Sequence, residues 1–418
     1  MTQIKQRNQI LLLLAVFLIL LLSNVSVLFR MLWLIENVVF VQAGLFFLFA
    51  AGLIFVLYRE ELLGELVAGL KRNWFVFPFL LFALASIFWS INKEVSTARW
   101  VIFLSTLLIS GYLGLSYSTQ EILRIVSAFS LQVLFLAALI ILIYPSFGIM
   151  NYYSIQGAWS GIFWHKNHMG LFASFINIIF FINLVESILK SSRAKYLWGA
   201  VYIFSLFFIF KTDSVAAYFS TIFLHGVYLV LFIWLRIRHT LKAKHYIFFL
   251  ILMILAAILI GMNLDVLFGL FNRSTTLTGR IPMWSHVFDT YFVERPYFGY
   301  GFNAFWYPYA HRVEIQQVAG YPDPVMIADN GFIDILINTG VVGLVLFIVL
   351  YFGICWRALQ ILRNSKSTLA LFPIIIMAFT LISNISWSLI FENESFFMLL
   401  MMTILFMGNK SKTESLTS

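Results

Sequence analysis

The sequence predicts an all-α, polytopic membrane protein. Of its 418 residues, 62% are hydrophobic and only 11% are charged, a composition outside the range of soluble globular domains. The apolar runs approach the roughly 20 residues that a helix needs to cross a bilayer, and they lack the alternation of membrane barrel strands. We therefore expect about 12 transmembrane helices and one large extracytoplasmic loop that contains a short amphipathic helix.

The predicted spans and one long polar segment organise the chain as a single integrated membrane domain. Helices 1 to 9 lie within residues 1–264, a large periplasmic or extracellular loop follows over 265–330, helices 10 to 12 lie within 331–408, and 409–418 form a cytoplasmic tail. The first helix is predicted to be retained, since no small-residue cleavage site follows it. The predicted spans are 9–29, 32–57, 75–91, 99–118, 123–144, 167–189, 196–211, 214–235, 246–264, 331–354, 368–389 and 394–408.

The positive charges predict the orientation, because lysines and arginines near helix ends resist translocation. With both termini cytoplasmic, 18 of the 27 Lys and Arg residues fall on the inner side of a bacterial plasma membrane. They are dispersed among short loops, so the net charge of +9 reflects topology and indicates no nucleic-acid partner. The single cysteine, Cys355, implies neither a disulfide nor a zinc site.

The sequence also lacks several common cofactor motifs. No Walker A loop is present, and no GxGxxG motif follows a predicted strand. Paired acidic residues that would hold a divalent metal against a sugar nucleotide are missing as well. We therefore expect neither a nucleotide nor a metal cofactor.

Within the long loop, Pro282 to Val293 can form an amphipathic helix that lies on the membrane surface. Proline suits the first helical turn, and tryptophan and tyrosine favour headgroup depth. The apolar residues that repeat at spacings of three and four are Trp284, Val287, Phe288 and Tyr291.

Arginine 280 stands at the start of this predicted helix and is the leading candidate for binding an anion. A guanidinium offers forked donors suited to phosphate oxygens, and the free N–H groups of a helix start add to the attraction. The alternative is that Arg280 reaches lipid headgroups or pairs with an acid such as Asp289. The outer-loop arginines, which run against the inside bias, are Arg273, Arg280, Arg295 and Arg312.

Aspartate 329, where the loop meets the tenth span, is the candidate general base. A carboxylate can take the proton from a sugar hydroxyl as it attacks, but its unperturbed pKa of roughly 3.9 would have to be raised by desolvation. The alternative is that Asp329 only caps the following helix.

Two further polar segments are predicted at outer helix ends. His165 and His168 are three residues apart, but without a third ligand nearby in the sequence they are weak candidates for a zinc site. The alternatives are hydrogen bonding to a glycan or phosphate, or packing at the membrane interface. Lys211 lies in a short turn with Asp213 and Ser214, whose alternative role is to cap the next helix.

Taken in order, these segments resemble the O-antigen ligase and polymerase superfamily of bacterial membrane glycosyltransferases. The resemblance extends over nearly the whole chain and includes the layout of spans around one large outer loop. The positions that carry it are Trp89-Ser90 with Arg99, Gly161 to Gly170, Thr278-Gly279-Arg280 with Trp284, Pro296 to Gly301, and Asn330-Gly331 with Gly340 and Gly343.

The resemblance implies transfer of a glycan from an undecaprenyl pyrophosphate carrier to an acceptor glycan or glycolipid at the outer face of the plasma membrane. Arginines would hold the pyrophosphate, and a loop residue would act as base. Arg280 and Asp329 are the implied catalytic residues, and other polysaccharide-assembly proteins are candidate partners. The implied substrate-binding residues are Arg99, His165, Asn167, Lys211 and Asn330.

The chain departs from the family pattern at two positions. Ligases usually have His followed by Asn where this chain has Asp329-Asn330. They also tend to carry an arginine where this chain has Val215, and Lys211 is the candidate replacement for that charge. The missing histidine favours a polymerase of lipid-linked repeat units over an O-antigen ligase.

A secondary transporter or flippase is the alternative of another class. Ionisable residues in mid-span, which mark ion pathways, are scarce in this sequence, and His225 is the clearest of them. No interrupted pair of spans occurs in matching halves of the chain. Both observations disfavour transport.

Overall fold

The protein is an all-α, multi-pass membrane protein in the part of the chain that the structure describes. Eight described helices are long and apolar enough to cross a membrane, or up to nine if one bent helix pair forms a single span. The predicted spans 9–29 and 246–264 lie outside the described residues. The structure, a computed structural model, describes residues 38–152, 155–163, 165–238, 280–321, 324–365, 367–388 and 396–408.

The first half of the described chain is almost entirely helical. The predicted span 75–91 contains a short helix, Val76–Ala85, that continues as a 3₁₀ turn to Phe88. It meets the preceding helix, Leu63–Arg72, at 91°, so these two helices make the bent pair. The helices are α1 (Val38–Arg59), α2 (Leu63–Arg72), α3 (Val76–Ala85), α4 (Lys93–Ser116), α5 (Thr119–Ile143), α6 (Lys166–Leu189), α7 (Ala194–Lys211) and α8 (Val215–Ile237).

The second half contains the outer loop and the last described helices. The predicted span 394–408 is described only from residue 396. The eight-residue helix Phe396–Thr403 begins there and is buried against α4 and the helix Phe372–Ser386. The helices are α9 (Arg280–His286, continued by a π-helical segment Val287–Phe292), α10 (Tyr309–Ala319), α11 (Gly331–Asn364), α12 (Phe372–Ser386, preceded by a 3₁₀ turn Thr368–Leu371) and α13 (Phe396–Thr403).

Polar side chains fix where several of these apolar helices begin. Asn92 accepts a hydrogen bond from the N–H of Val95 at the start of α4, and Ser118 with Glu121 forms a capping box at the start of α5. Such caps satisfy N–H groups that have no partner within the helix. The caps of α6 and α11 belong to the candidate site described below.

A small β-hairpin, which the sequence analysis did not predict, lies between α5 and α6. Strands β1 (Ile149–Tyr152) and β2 (Ile155–Trp159) pair in antiparallel register, with Ile149 opposite Trp159. Trp159 packs on Phe207 and Phe208 of α7, with ring centroids 5.5 and 5.0 Å apart. The hairpin is therefore attached to the end of α7.

Helix α6 occupies the centre of the helical core. Its Phe175 is fully buried and contacts Phe379 of α12 and Phe397 of α13, each at 5.0 Å between ring centroids. Tilted and edge-on aromatic contacts of this kind add to the burial of apolar area. The core therefore joins the two halves of the chain.

The outer loop has a second, smaller core. The predicted amphipathic helix is present as α9, which begins at Arg280, two residues before Pro282. Its buried face consists of Met283, Val287 and Tyr291, which are four residues apart and therefore share one side of the helix. These side chains pack against residues such as Phe305 and Ile315, so the loop is folded over its described residues.

The loop is attached to α11 at a break in that helix. Gly340 has φ 66° and ψ −173°, which interrupts the helical hydrogen bonds. Segment 296–301 fills the gap: the N–H groups of Tyr300 and Gly301 donate to the carbonyls of Ile337 and Asn338 at 3.2 and 2.9 Å. In return, the N–H groups of the two residues after Gly340 donate to the carbonyls of residues 296 and 297, at 2.9 and 3.2 Å.

We predict that Gly340→Ala strongly destabilises the protein. The backbone conformation of Gly340 is almost exclusive to glycine and would cost another residue about 1–3 kcal/mol. A Cβ there would also lie 2.2 Å from the carbonyl carbon of Tyr297. Thermal unfolding of the detergent-purified protein measures the effect.

The matched control is Gly226→Ala in α8, where a new Cβ would have no atom within 4 Å. Equal melting temperatures for the two variants would contradict the assigned role of Gly340.

Candidate functional site

Arg280 and Asp329 form an ion pair at the junction of the outer loop and α11. The Nε of Arg280 donates to Oδ2 of Asp329 at 3.1 Å, and the two side chains are 14% and 22% exposed. The predicted alternative, in which Arg280 pairs with an acidic residue, is thus confirmed, but the partner is Asp329 and not Asp289. Asp289 accepts a hydrogen bond from Ser285. Among the described residues, the structure shows Asp329 as the acceptor from the Arg280 guanidinium.

The surroundings of Asp329 make it a stronger base than an ordinary aspartate. Burial raises the pKa of its carboxyl, and the charge and hydrogen bond of Arg280 offset only part of that rise. The direction agrees with the desolvation that the sequence analysis required of a base. Nearby, burial and the Asp329 charge raise the pKa of Tyr321 to about 12, so its hydroxyl stays protonated.

The cap of α11 is Asn330, and the alternative in which Asp329 caps this helix is wrong. Asn330 Oδ1 accepts from the N–H groups of Phe332 and Ile333 at 3.0 and 3.2 Å, and its Nδ2 donates to the carbonyl of Ile385. Asp329 lies one residue earlier with φ 52°, in the left-handed region. This turn leaves the Asp329 carboxylate directed at Arg280, while the predicted substrate-binding residue Asn330 is engaged in capping.

His165 caps α6 and lies within electrostatic range of Arg280. Its Nδ1 accepts from the N–H of Asn167 at 3.2 Å, and its ring stacks on Trp387 at 6.0 Å between centroids. Burial, then the charges of Lys166 and Arg280, lower the pKa of His165 to about 4. At neutral pH the ring is therefore uncharged and, because Nδ1 accepts, its proton is on Nε2.

Two helix ends meet beside His165 through a buried lysine. The ammonium of Lys166, only 7% exposed, donates to the carboxylate of Asp213 at 2.9 Å and to its backbone carbonyl at 2.8 Å. Asp213 lies in the turn between α7 and α8. The start of α6 is therefore fixed against that turn, and Lys166 adds a cation that the sequence analysis did not select.

Three further predicted residues make contacts of their own. Lys211 places its ammonium over the rings of Trp159 and Phe207, at 5.9 and 5.7 Å. Arg99 donates to the hydroxyl of Tyr307 at 3.0 Å. No contact between either cation and the Arg280–Asp329 pair occurs among the described residues. Asn167 is half-buried at the start of α6.

The sequence analysis also missed Asp334 and its partners. Asp334 is buried in the first turn of α11, and its carboxylate accepts from the indole of Trp306 at 2.5 Å and from the hydroxyl of Ser388. An ionisable residue inside a predicted membrane span was the available signal. Its partners are distant in sequence and could not be identified without the fold.

Comparison with known proteins supports the family assignment. The Wzy_C profile, described as O-antigen ligase, matches residues 200–348. This stretch runs from α7 to α11 and contains both Arg280 and Asp329. The chain is therefore similar to the O-antigen ligase family over this stretch, which confirms the resemblance seen in the sequence.

The chain is also similar to a distant relative over most of its length. The exopolysaccharide production protein ExoQ of Rhizobium meliloti (strain 1021) is 25% identical over 335 residues, which cover 75% of this chain and 72% of the relative.

We predict that Arg280→Gln raises the pKa of His165. Removing the guanidinium removes one of the positive charges that disfavour imidazolium, while burial still holds the pKa below its usual 6.5. Because the folded-state pKa lies below the unfolded one, the stability contributed by neutral His165 is lost as pH falls from 6.5 towards 4. NMR titration of labelled histidines measures both values.

Arg295→Gln is the control, since Arg295 is an exposed loop arginine that contacts Trp89 and Tyr300. A His165 pKa near 6.5 in the unchanged protein would refute the buried, neutral imidazole.

Proposed function

We propose that the protein is a polysaccharide polymerase that joins undecaprenyl-pyrophosphate-linked repeat units into O-antigen, capsule or exopolysaccharide at the outer face of the bacterial plasma membrane. The observation that carries the proposal is the Arg280–Asp329 pair: an anion-binding group beside a partly desolvated carboxylate, within the stretch that matches the ligase family. The relation to ExoQ, an exopolysaccharide production protein, favours a polymer as product.

In the proposed reaction, an acceptor hydroxyl attacks the anomeric carbon of the donor glycan. The new glycosidic bond forms as the bond from this carbon to the pyrophosphate oxygen breaks, and the lipid pyrophosphate leaves with the electron pair. Asp329 takes the hydroxyl proton. The leaving group is already good, so the protein mainly stabilises its charge and orients the attacking oxygen.

Arg280 is proposed to contact both the leaving pyrophosphate and the base Asp329. Its Nε remains bonded to Asp329, while Nη1 and Nη2 donate to the pyrophosphate oxygens. One planar group would then set the distance between leaving group and base. Desolvation strengthens both interactions because the surrounding dielectric is low.

Neutral His165 and its neighbours complete the proposed groove. Its Nε2–H can donate to a phosphate or sugar oxygen without adding charge, and Asn167 lies two residues further along, in the first turn of α6. Lys211 and Arg99 are proposed as outlying cations that attract the lipid pyrophosphate before it reaches Arg280. The family also implies a lipid-linked glycan as substrate and places it in the membrane.

An O-antigen ligase is the second candidate, favoured by the family whose profile matches. It shares the donor chemistry and differs in the acceptor. Gel analysis of envelope glycans from cells that lack the gene separates the two. Loss of long chains with single units still attached indicates a polymerase, whereas loss of all attachment indicates a ligase.

We predict that purified protein, incubated with a defined lipid-linked repeat unit in EDTA, forms longer glycans that mass analysis detects. Arg280→Ala should lower the rate by about 100-fold or more, because the leaving-group charge loses its donors. Asp329→Asn should also lower it by about 100-fold or more, since an amide cannot accept the proton. Asparagine tolerates the left-handed backbone, so the fold is kept.

Arg295→Ala provides the matched control, as a loop arginine away from the ion pair. Wild-type chain lengths from Arg280→Ala, or full activity of Asp329→Asn, would remove the catalytic assignment of that residue.

A further inference from the structure

The residue before Asp329 is held through both of its backbone polar groups. Ala328 is fully buried, and its N–H donates to the two carboxylate oxygens of Asp334 at 3.1 and 3.2 Å. Its carbonyl accepts from the indole N–H of Trp284 at 2.7 Å. The peptide groups on either side of the Ala328 Cα are therefore each fixed by a side chain of another element.

The two side chains come from the elements that carry the ion pair. Trp284 lies four residues after Arg280, one turn along the same face of α9. Asp334 lies in the first turn of α11, which follows Asp329. The contacts to Ala328 therefore join α9, which begins at Arg280, to α11, which begins shortly after Asp329.

The conformation of Asp329 requires such support. A non-glycine residue with positive φ is uncommon and persists where the surroundings over-determine it. Asp334 is itself held by Trp306 and Ser388, so its buried carboxylate has donors on both oxygens.

From these contacts we propose that Trp284 and Asp334 are positioning residues of the transfer reaction. By holding the N–H and the carbonyl of Ala328, they keep the Asp329 carboxylate against Arg280 and directed at the acceptor hydroxyl. The proposal rests on the proposed function, because it assigns no independent chemistry to either residue.

Trp284→Phe tests the proposal, because it keeps the ring and removes only the N–H donor. We expect kcat for polymerisation to fall on the order of tenfold, since small displacements of a reacting group are costly, while KM for the lipid-linked donor stays within about twofold. A loosened Asp329 also loses the contact with Arg280 that lowers its pKa. The acidic limb of the pH dependence of kcat should therefore move to higher pH.

Trp100→Phe is the matched control, since it removes an equivalent indole bond to a backbone carbonyl, that of Leu80, at 3.1 Å. Asp334→Asn is the second variant and should change kcat and the pH profile in the same direction. Where it fails to fold, Trp284→Phe decides alone.

The outcomes separate the two proposals. A merely structural role for Trp284 would lower the yield of folded protein but leave its kcat and pH profile unchanged. That result, together with an inactive Asp329→Asn, overturns the positioning role and leaves the proposed function standing. Fully active Asp329→Asn overturns the base assignment and the positioning role with it.

Discussion

Backbone hydrogen bonds between segment 296–301 and the break in α11 hold the outer loop against the helical core. The helix broken at Gly340 exposes carbonyl and N–H groups that a continuous helix would satisfy internally, and the loop supplies their partners. A polar gap within a helix that is long and apolar enough to cross a membrane is thereby closed by protein backbone. Since α9 precedes this segment and α11 follows Asp329, the same junction limits how far Arg280 can move from its partner.

Among the described residues, the two cations that act on His165 are each paired with a carboxylate. Arg280 is neutralised in part by Asp329, and Lys166 by Asp213. His165 stays uncharged because it is buried beside both cations. In the proposed reaction, an incoming pyrophosphate would meet the guanidinium of Arg280 and the neutral ring of His165. Such a site would bind a diphosphate group without holding it as tightly as a fully exposed cluster of cations.

Periodicity, composition and motif order were sufficient to predict the fold class, the amphipathic helix and the family resemblance. The contact between Arg280 and Asp329 was not itself predicted from the sequence, since each residue was selected separately for its own chemistry. The hairpin was missed because its strands are only four and five residues long. The roles of Trp284, Trp306 and Asp334 could not be predicted, because hydrogen bonds between distant segments leave no local pattern in the sequence.

The left-handed backbone at Asp329 restricts which side chains that position can carry. Aspartate, asparagine and histidine are the non-glycine residues that adopt this conformation most readily. Two of these three can accept a proton near neutrality when their surroundings are tuned. The histidine that the family resemblance implies at this position and the aspartate of this chain are thus interchangeable as far as the main chain is concerned. Under the proposed function, exchange of one proton acceptor for the other would need no remodelling of the turn.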